Sequence, residues 1–459
     1  LASASLAASL TAKDRPESAA TAPARPSVLL VTLDTTRADH TSAYGYDRPT
    51  TPRLEQVVRD GVRFEVAYAP MATTLPSHAT MFTGLLPRSH GTLKNGLAVD
   101  TSLPLLAEVL QKEGYRTAAF LGSFAVASRF GLARGFEVYD DDFRNGECKW
   151  EIERWEGHKL EAEFCRRGDL TRARAEKWLA ANGYLAREAG SKPPFFLWIH
   201  FFDPHNPYDP PPEHARLFPP RGDAPTELDR DIAAYDAEIH FADQEVGKLL
   251  DALAAAGRLD DTLVIVAGDH GEGLMDHGWM LHGLQIYEES VRIPFVLRWP
   301  ARLPRGRSVA GPVELTDLAP TILEVVGASM PASDRRAEGK SLIAAATGKE
   351  APDPRRRVLL QRRFYAVDSE RGVPVKGDKH AVRVGRWKYI AAPEENTFEL
   401  YDLLGDPREQ RNLATEKPAE RERLAAALAA WLAAPVVAAP PRGVSEEDAK
   451  RLEALGYVQ

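Results

Sequence analysis

The sequence predicts an α/β fold in which a central mixed β-sheet is flanked by helices, with a small C-terminal α+β subdomain. Continuous apolar runs occupy residues 27–33, 194–202 and 262–267, and each is typical of a strand buried on both faces. Helical segments separate these runs, as they do in mostly parallel sheets. Beyond residue 350 the pattern changes to shorter, alternating strands followed by one helix.

The first 26 residues are predicted to be a leader and linker. Residues 1–10 contain only Ala, Ser and Leu, which resembles the end of a signal-peptide core, and residues 11–26 are polar and rich in Ala and Pro. We therefore expect an exported protein, either periplasmic or lipid-anchored. No later stretch has eighteen consecutive apolar residues, so no transmembrane segment is expected.

The first strand, Ser27 to Leu33, ends directly in Asp34. Ligands of open α/β sheets collect at the carboxyl ends of the strands. Asp34 is therefore a candidate to bind a metal or a substrate, and the alternative is an aspartate that only makes a turn or caps a helix.

The segment Ala72 to Gly84 carries the candidate nucleophile. Pro76 suits the first turn of a helix, and Gly84 suits its end, so a helix from Pro76 to Thr83 is expected. Thr74 would then precede the helix N-terminus, where backbone N–H groups and the helix dipole favour an anion. A hydroxyl at that place, next to a metal, could attack phosphorus or sulfur. The alternative is that Thr73 and Thr74 cap the helix.

Three further segments follow strands or turns near the predicted site. Lys94 lies in a Lys-Asn-Gly turn and could reach an anion, although a solvated lysine is the simpler interpretation. The strand at 194–202 is followed by Asp203-Pro204-His205, whereas His200 inside that strand is expected to be a hydrogen-bonded core histidine. The strand at 262–267 is followed by Asp269 and His270, and then by His277 and His282 in a glycine-rich stretch that can crowd around a small ligand.

The predicted domains are a catalytic domain at 27–350, a C-terminal subdomain with a small antiparallel sheet at 351–435, and a linker with a helical tail at 436–459. The chain has 459 residues, of which 44% are hydrophobic and 27% charged, as expected of a globular protein. A net charge of −8 argues against nucleic acid as a partner. Cys148 and Cys165 are too few for a disulfide scaffold but could form one bridge in an exported protein; otherwise they are two thiols.

Together, the candidates are two carboxylates, one hydroxyl and several imidazoles at strand ends. Such a set can hold a divalent cation and a bound anion.

With these residues, the segment from Val28 to Leu413 resembles the sulfatases of the alkaline phosphatase superfamily. The motifs that carry the resemblance are Asp34 after the first strand, the Thr-Leu-Pro-Ser-His…Thr-Gly segment, Asp203-Pro204-His205, Asp269-His270-Gly271 with a later His-Gly, and the ending Leu400-Tyr401-Asp402-Leu403…Asn412-Leu413. The resemblance implies a sulfatase-like catalytic domain and an ester hydrolase.

The chain departs from the sulfatase pattern at four positions. Thr74 stands where sulfatases have the Cys or Ser that becomes formylglycine, and Thr is not a known substrate for that conversion. His78 replaces an arginine, Thr35 the second aspartate of a pair, and His282 a lysine. The remaining set resembles the one-metal site of relatives that use an unmodified Thr on phosphodiesters.

The resemblance to those relatives implies the following roles. One divalent metal ion (Ca, Mn or Zn) is held by Asp34, Thr74, Asp269 and His270, and Thr74 is the nucleophile, with His205 and His282 as further catalytic residues. His78, Lys94 and His277 are the candidate substrate-binding residues, and for the two histidines the alternative is a structural hydrogen-bonding role. The expected substrate is a small-molecule or glycan ester. Cleavage of phosphodiesters is favoured on chemical grounds; the alternatives are a true sulfatase that works without formylglycine and an inactive metal- or carbohydrate-binding relative.

Overall fold

The computed structural model describes residues 25–147, 154–155, 158–159, 164–186, 192–331, 335, 338–364 and 375–436. The predicted leader up to residue 24, the predicted tail from residue 437 and Cys148 lie outside these residues. Cys165 is disulfide-bonded. Among the described helices, none has the length and apolar character needed to span a bilayer.

The predicted α/β class is confirmed by a nine-stranded central sheet. Its strands are β1 (Ser27–Leu33), β2 (Val62–Tyr68), β3 (Arg116–Leu121), β4 (Val138–Asp140), β7 (Phe195–Phe201), β8 (Thr262–Gly268), β11 (Arg292–Ile293), β12 (Phe295–Arg298) and β13 (Arg307–Glu314). Two short hairpins add β5 (Arg154–Trp155) with β6 (His158–Lys159), and β9 (Gly273–Leu274) with β10 (Met280–Leu281).

Strand β1 lies in the middle of the sheet. It pairs in parallel with β7 on one side and β8 on the other, and β3 and β4 continue the parallel part beyond β7. Antiparallel β12 then joins β8 to β2, which makes the sheet mixed. In the register of the three central strands, Leu33 of β1 is level with Phe201 of β7 and Gly268 of β8. The residues that follow these three strands therefore meet at one edge.

Helices cover both faces of the sheet. They are α1 (Pro52–Arg59), α2 (Thr74–Thr83), α3 (Pro87–His90), α4 (Leu106–Lys112), α5 (Gly168–Ala181), α6 (Pro212–Ala215), α7 (Glu227–Ala255), α8 (Glu288–Val291), α9 (Leu318–Val326), α10 (Ile343–Thr347) and α11 (Pro418–Ala433). Alternate β1 side chains enter two separate cores. Val28 and Leu30 pack in the core that contains α2, α4 and α9, whereas Leu29 and Val31 pack in the core that contains α1, α5 and α7.

A small C-terminal antiparallel sheet is present, as predicted. Its strands are β14 (Arg357–Gln361), β15 (His380–Val384), β16 (Trp387–Ala392) and β17 (Thr397–Asp402). One of its faces packs on residues of the main domain such as Tyr68, and the other packs on Leu424 and Leu428 of α11. A turn with Gly385 at φ 65° reverses the chain between β15 and β16, which pair as a hairpin.

Candidate metal and nucleophile site

Two carboxylates are brought together where β1 and β8 end. Asp34 continues the ladder by donating its backbone N–H to the Phe201 carbonyl at 2.9 Å, and the Asp269 N–H donates to the Leu33 carbonyl at 3.2 Å. One side-chain oxygen of Asp269 is satisfied by backbone donors, because Oδ1 accepts hydrogen bonds from the N–H groups of Thr35 and His270 at 3.1 and 2.7 Å. This arrangement fixes Asp269 and leaves its Oδ2 for another partner.

The candidate nucleophile lies in the first turn of α2. The helix begins at Thr74, two residues earlier than predicted, so Thr74 is its first residue and Thr73 its N-cap. Thr73 makes no side-chain capping hydrogen bond. The Thr74 Oγ1 lies 3.3 Å from Nε2 of His270. The capping alternative is therefore wrong for Thr73, and the Thr74 hydroxyl faces the residues predicted as metal ligands.

The protonation of His270 follows from its hydrogen bonds. Its Nδ1 lies 2.9 Å from the Gly271 carbonyl, which can only accept, so Nδ1 carries the proton. Nε2 then has a lone pair, and it lies 3.7 Å from Oδ1 of Asp34 and 3.6 Å from Oδ2 of Asp269. A metal-binding histidine typically donates its other N–H to a carbonyl in this way.

The site contains buried polar atoms without hydrogen-bond partners. They are both carboxylate oxygens of Asp34 and Oδ2 of Asp269, in residues that are completely buried. Burial raises the pKa of Asp34 to about 8, and burial together with the Asp34 charge raises the pKa of Asp269 well above its usual value. Burial also holds the pKa of His270 well below its usual range. Buried carboxylates of this kind are usually paired or coordinate a metal.

These observations fit a divalent cation. One ligand atom from each of Asp34, Asp269 and His270 can be chosen so that all three lie within 4.8 Å of one another. A cation between them would be bound by one oxygen of each carboxylate and by the His270 lone pair. A possible metal site is thus present at the predicted position, and the Thr74 hydroxyl contacts it.

His205 and His282 lie next to this group. Their rings are 4.9 Å apart between centroids, and the His282 ring is 4.6 Å from that of His270. The Nδ1–H of His282 donates to Oε1 of Glu272 at 3.1 Å, which orients the ring. Burial holds the pKa of His205 well below its usual range, so this ring is neutral at pH 7.

The three residues predicted to bind substrate lie in different surroundings. Lys94 precedes Asn95, whose Oδ1 accepts the N–H of Leu75 at 2.9 Å, so the turn adjoins the start of α2. His78 is completely buried, and both of its nitrogens are hydrogen-bonded within the protein. Both nitrogens of His277 are also hydrogen-bonded, to Glu289 at 2.7 Å and to the Glu409 carbonyl at 3.0 Å. Substrate binding by Lys94, His78 and His277 stays a prediction.

Two residues of this region were not recognised in the sequence. Glu272 is completely buried, and its Oε2 has no hydrogen-bond partner. His200 was expected to be a satisfied core histidine, which is wrong for one of its nitrogens, since Nε2 has no hydrogen-bond partner. It lies 3.3 Å from Oδ2 of Asp34. The signal for Glu272 was its place after a buried strand, but His200 within an apolar strand gave none.

A cavity of about 490 Å³ adjoins the site and is lined in part by Phe202, Asp203 and His205. The His205 ring stacks on Phe202 at 4.3 Å and forms a wall between this cavity and His282. The remaining lining is largely charged, from the start of α5 and the middle of α7. Its volume is in the range of small-molecule sites, and Asp34, Thr74, Asp269 and His270 are not among its lining residues.

The sulfatase family profile matches residues 26–328, which is more than half of the chain. This chain belongs to the sulfatase family. A second profile, for the C-terminal region of N-sulphoglucosamine sulphohydrolase, matches residues 275–434 and includes the small sheet. The protein is therefore a sulfatase-family hydrolase that acts on ester bonds.

Relatives of this sulfatase-family chain align along most of its length. An arylsulfatase of Clostridium perfringens is 26% identical over 454 residues, covering 85% of this chain and 90% of the relative. A choline-sulfatase of Rhizobium meliloti is 26% identical over 447 residues, covering 85% of this chain and 82% of the relative.

Solved structures share the sulfatase fold. A protein in complex with its substrate D-glucosamine-2-N,6-O-disulfate superposes with a TM-score of 0.72 at 20% identity, covering 89% of this chain and 97% of the other. The phosphonate monoester hydrolase of Agrobacterium radiobacter superposes with a TM-score of 0.71 at 22% identity, covering 89% and 96%. At these identities the likeness establishes the fold.

Proposed function

We propose that this sulfatase-family hydrolase is a metal-dependent phosphodiesterase in which the unmodified Thr74 is the nucleophile. The observation that carries the proposal is the position of the Thr74 hydroxyl, 3.3 Å from a His270 nitrogen whose lone pair also faces two buried carboxylates. A threonine cannot take the place of the formylglycine precursor, since Thr is not a known substrate for that conversion. The chemistry therefore has to use a single hydroxyl.

Asp34, Asp269 and His270 would hold one divalent ion, Ca, Mn or Zn, with Thr74 as a fourth ligand. When bound, the ion would supply positive charge that lowers the pKa of the hydroxyl and offsets the charge of the substrate. The start of α2 adds backbone N–H groups and the positive end of the helix dipole at the same place.

The protein residues would carry the reaction in two displacements. The Thr74 hydroxyl gives its proton to water, and its oxygen forms a bond to phosphorus while the bond from phosphorus to the leaving oxygen breaks. His282, oriented by Glu272, would give that leaving oxygen a proton, and the neutral His205 ring would contact the non-bridging oxygens. Water then attacks phosphorus, the bond to the Thr74 oxygen breaks, and the hydroxyl is regenerated.

Two arguments favour a phosphodiester over the other esters. A formylglycine hydrate expels sulfate with its second hydroxyl, but a Thr74 adduct has to be opened by water at the central atom, as phosphorus permits in the Thr-type relatives. Fixed positive charge is also scarce among the described residues around the metal site, because burial keeps His205 and His78 neutral and the Arg37 guanidinium is bonded to Asp39 and Asp276. A phosphomonoester dianion would need more cations than a singly charged diester.

The test compares kcat/KM for matched nitrophenyl substrates, namely a phosphodiester, a phosphomonoester and a sulfate ester, on one metal-loaded sample. We expect the diester value to exceed the other two by at least about tenfold, or roughly 1.4 kcal/mol of transition-state stabilisation. A sulfate value well above the diester value would contradict the proposal and support a sulfatase that works without formylglycine. Absence of turnover with every ester in metal-loaded protein would instead indicate an inactive metal- or carbohydrate-binding relative.

A further inference from the structure

Thr35 directly follows Asp34, a candidate metal ligand, and its backbone is strained. Its φ angle is 47°, which lies in the left-handed region. A β-branched residue is rarely found there, because its Cβ lies too close to the carbonyl oxygen that follows. Strained residues of this kind persist only where the surrounding structure holds them, and they concentrate at functional sites. The groups that hold Thr35 in this conformation therefore bear on the function of the site.

Hydrogen bonds hold Thr35 at its amide, its hydroxyl and its carbonyl. The N–H donates to Oδ1 of Asp269 at 3.1 Å, and the hydroxyl donates to the Pro204 carbonyl at 2.8 Å. The carbonyl accepts the hydroxyl hydrogen of Tyr235 at 2.6 Å. Thr35, Asp269 and Tyr235 are completely buried, so bulk water is not available to replace these bonds.

Tyr235 lies on α7 and holds the loop after β1 at two points. Its oxygen accepts the N–H of Arg37 at 3.0 Å, and its hydrogen is donated to the Thr35 carbonyl. These donor and acceptor roles follow from the backbone partners, because an N–H only donates and a carbonyl only accepts. Burial raises the pKa of Tyr235 well above its usual value, so the hydroxyl keeps its hydrogen at neutral pH.

The bonds to Tyr235 and Asp269 together determine the φ angle of Thr35. The N–H precedes the Cα atom and the carbonyl follows it, and each belongs to a rigid peptide unit, so anchoring both fixes the rotation between them. Without the Tyr235 hydroxyl, rotation about the N–Cα bond can relieve the strain at Thr35. The bond from the Thr35 N–H to Asp269 then loses its support.

This N–H contributes to the orientation of a candidate metal ligand. Oδ1 of Asp269 accepts from Thr35 and from the His270 N–H at 2.7 Å, and Oδ2 is left without a hydrogen-bond partner. That Oδ2 lies 3.6 Å from Nε2 of His270. Loss of one of the two donors would allow the carboxylate to turn about its Cβ–Cγ bond and would move Oδ2 away from the other candidate ligand atoms.

We propose that Tyr235 is a positioning residue for the metal site, which holds Thr35 in the left-handed conformation so that the Thr35 N–H orients the Asp269 carboxylate. The inference rests on the metal site of the proposed function. The Tyr235 hydroxyl is bonded to the backbone of Thr35 and Arg37, so its effect on the metal is transmitted through the loop.

The experiment titrates Mn²⁺ into metal-free full-length protein by calorimetry and measures turnover of the nitrophenyl phosphodiester against Mn²⁺ concentration. Tyr235→Phe removes the hydroxyl and keeps the ring. Tyr115→Phe is the matched control, because Tyr115 is also buried and donates its hydroxyl to a backbone carbonyl, that of Pro26 at 2.9 Å. Circular dichroism checks that each variant is folded.

We expect Tyr235→Phe to weaken Mn²⁺ binding about 10–100-fold, as is typical of residues that support a metal ligand, and Tyr115→Phe to leave the Kd unchanged. The Mn²⁺ concentration for half-maximal turnover should rise with the Kd. At saturating Mn²⁺, however, kcat of Tyr235→Phe should lie within about threefold of the wild-type value, because this side chain does not touch the reacting atoms.

Two substitutions at Thr35 test the role of the strain. Thr35→Gly and Thr35→Ala both remove the hydroxyl and keep the N–H, but only glycine adopts a positive φ freely. In the wild-type background, where Tyr235 holds the loop, the two variants should bind Mn²⁺ with similar Kd values. In the Tyr235→Phe background, Thr35→Gly should bind Mn²⁺ more tightly than Thr35→Ala, which is the coupling expected of two residues that act together.

An unchanged Kd for Mn²⁺ in folded Tyr235→Phe would overturn the inference, as would the same difference between Thr35→Gly and Thr35→Ala in both backgrounds. A loss of kcat in Tyr235→Phe that saturating Mn²⁺ does not restore would also contradict it. In each of these cases a wild type that binds Mn²⁺ and cleaves the diester leaves the proposed function standing. If the wild type binds no Mn²⁺, the inference fails together with the metal site of the proposed function.

Discussion

Two groups of buried charged side chains in this molecule differ in how their charges are balanced. The Lys388 amine is completely buried, and it pairs with Glu288 at 3.1 Å and with Glu409 at 3.0 Å. Burial alone would lower the pKa of Lys388, but the charges of Glu409 and Glu288 outweigh it and raise the pKa. Burial raises the pKa of Glu409 to about 8, so one carboxylate, that of Glu288, remains for the one amine at pH 7. This group, between the main domain and the small C-terminal sheet, is therefore balanced by the chain itself.

The carboxylates of Asp34 and Asp269 are buried to the same degree but have no such partner. The described ion pairs of Asp34 and Asp269 are all with histidine nitrogens, at 3.3 to 3.9 Å. Those rings belong to His78, His200 and His270, and burial lowers the pKa of each. Burial of charge alone therefore does not mark a functional site. What marks it is buried charge that the chain leaves unbalanced.

The largest effect is expected at the nucleophile. Thr74→Ala should lower kcat at least about 10³-fold, because no hydroxyl remains to form the covalent adduct. Thr74→Ser should retain part of the activity, since a hydroxyl remains. Steady-state kinetics on the best ester of the panel, with no maturation enzyme in the expression host, measures both.

Thr73→Ala is the matched control for these variants. Thr73 is the adjacent buried threonine, and its side chain makes no capping hydrogen bond, so its loss should leave kcat close to the wild-type value. Near-normal turnover by Thr74→Ala would show that water or another residue is the nucleophile.

A substitution in the balanced group around Lys388 should lower the stability of the protein and leave its metal binding unchanged. Lys388→Met leaves Glu288 and Glu409 without their cation, and we expect the free energy of unfolding to fall by about 3–5 kcal/mol. Urea denaturation measures this change, and Lys349→Met on an exposed residue should shift the value by less than about 0.5 kcal/mol. Loss of bound metal from folded Lys388→Met would break the distinction between the two groups.

A smaller effect of pH is expected at His277. Burial lowers the pKa of this ring, but the hydrogen bond and charge of Glu289 outweigh it and raise the pKa above 6.5. A raised histidine pKa stabilises the folded state below pH 6.5, and the stabilisation is lost as the pH rises through the folded-state pKa. The difference in unfolding free energy between wild type and His277→Gln, on the order of 1 kcal/mol at pH 6, should therefore shrink towards pH 9. A difference in unfolding free energy that grows with pH would contradict a raised pKa of His277 in the folded protein.

The fold and much of the site could be predicted because the decisive residues follow buried strands. The apolar runs before Asp34 and Asp269 are unmistakable, and parallel strands deliver their carboxyl ends to one edge. The sequence does not state that β1 lies between β7 and β8, so the contact of the two carboxylates emerges only from strand pairing. The N-terminus of α2 was misplaced because Pro76 suits a first turn, yet it is the third residue of the helix.

His200 shows why the remainder could not be predicted. A histidine in an apolar strand looks the same whether its nitrogens are satisfied or not. Whether the nitrogens of His200 are satisfied depends on Thr32 of the neighbouring strand and on Trp198 of its own strand. It also depends on which of these groups donates the hydrogen in each contact. Hydrogen-bond geometry across the sheet is a tertiary property, and the spacing of residues along the chain does not contain it.

The most direct test of the account is the metal content of Asp269→Asn beside that of the wild type. Both proteins are purified, loaded with the same divalent metal, dialysed and analysed by inductively coupled plasma mass spectrometry, with circular dichroism to confirm the fold. The account predicts about one ion per wild-type chain, and loss of both metal and esterase activity in folded Asp269→Asn. A stoichiometric metal ion in pure Asp269→Asn, or full wild-type activity after complete removal of metal by a chelator, would contradict it.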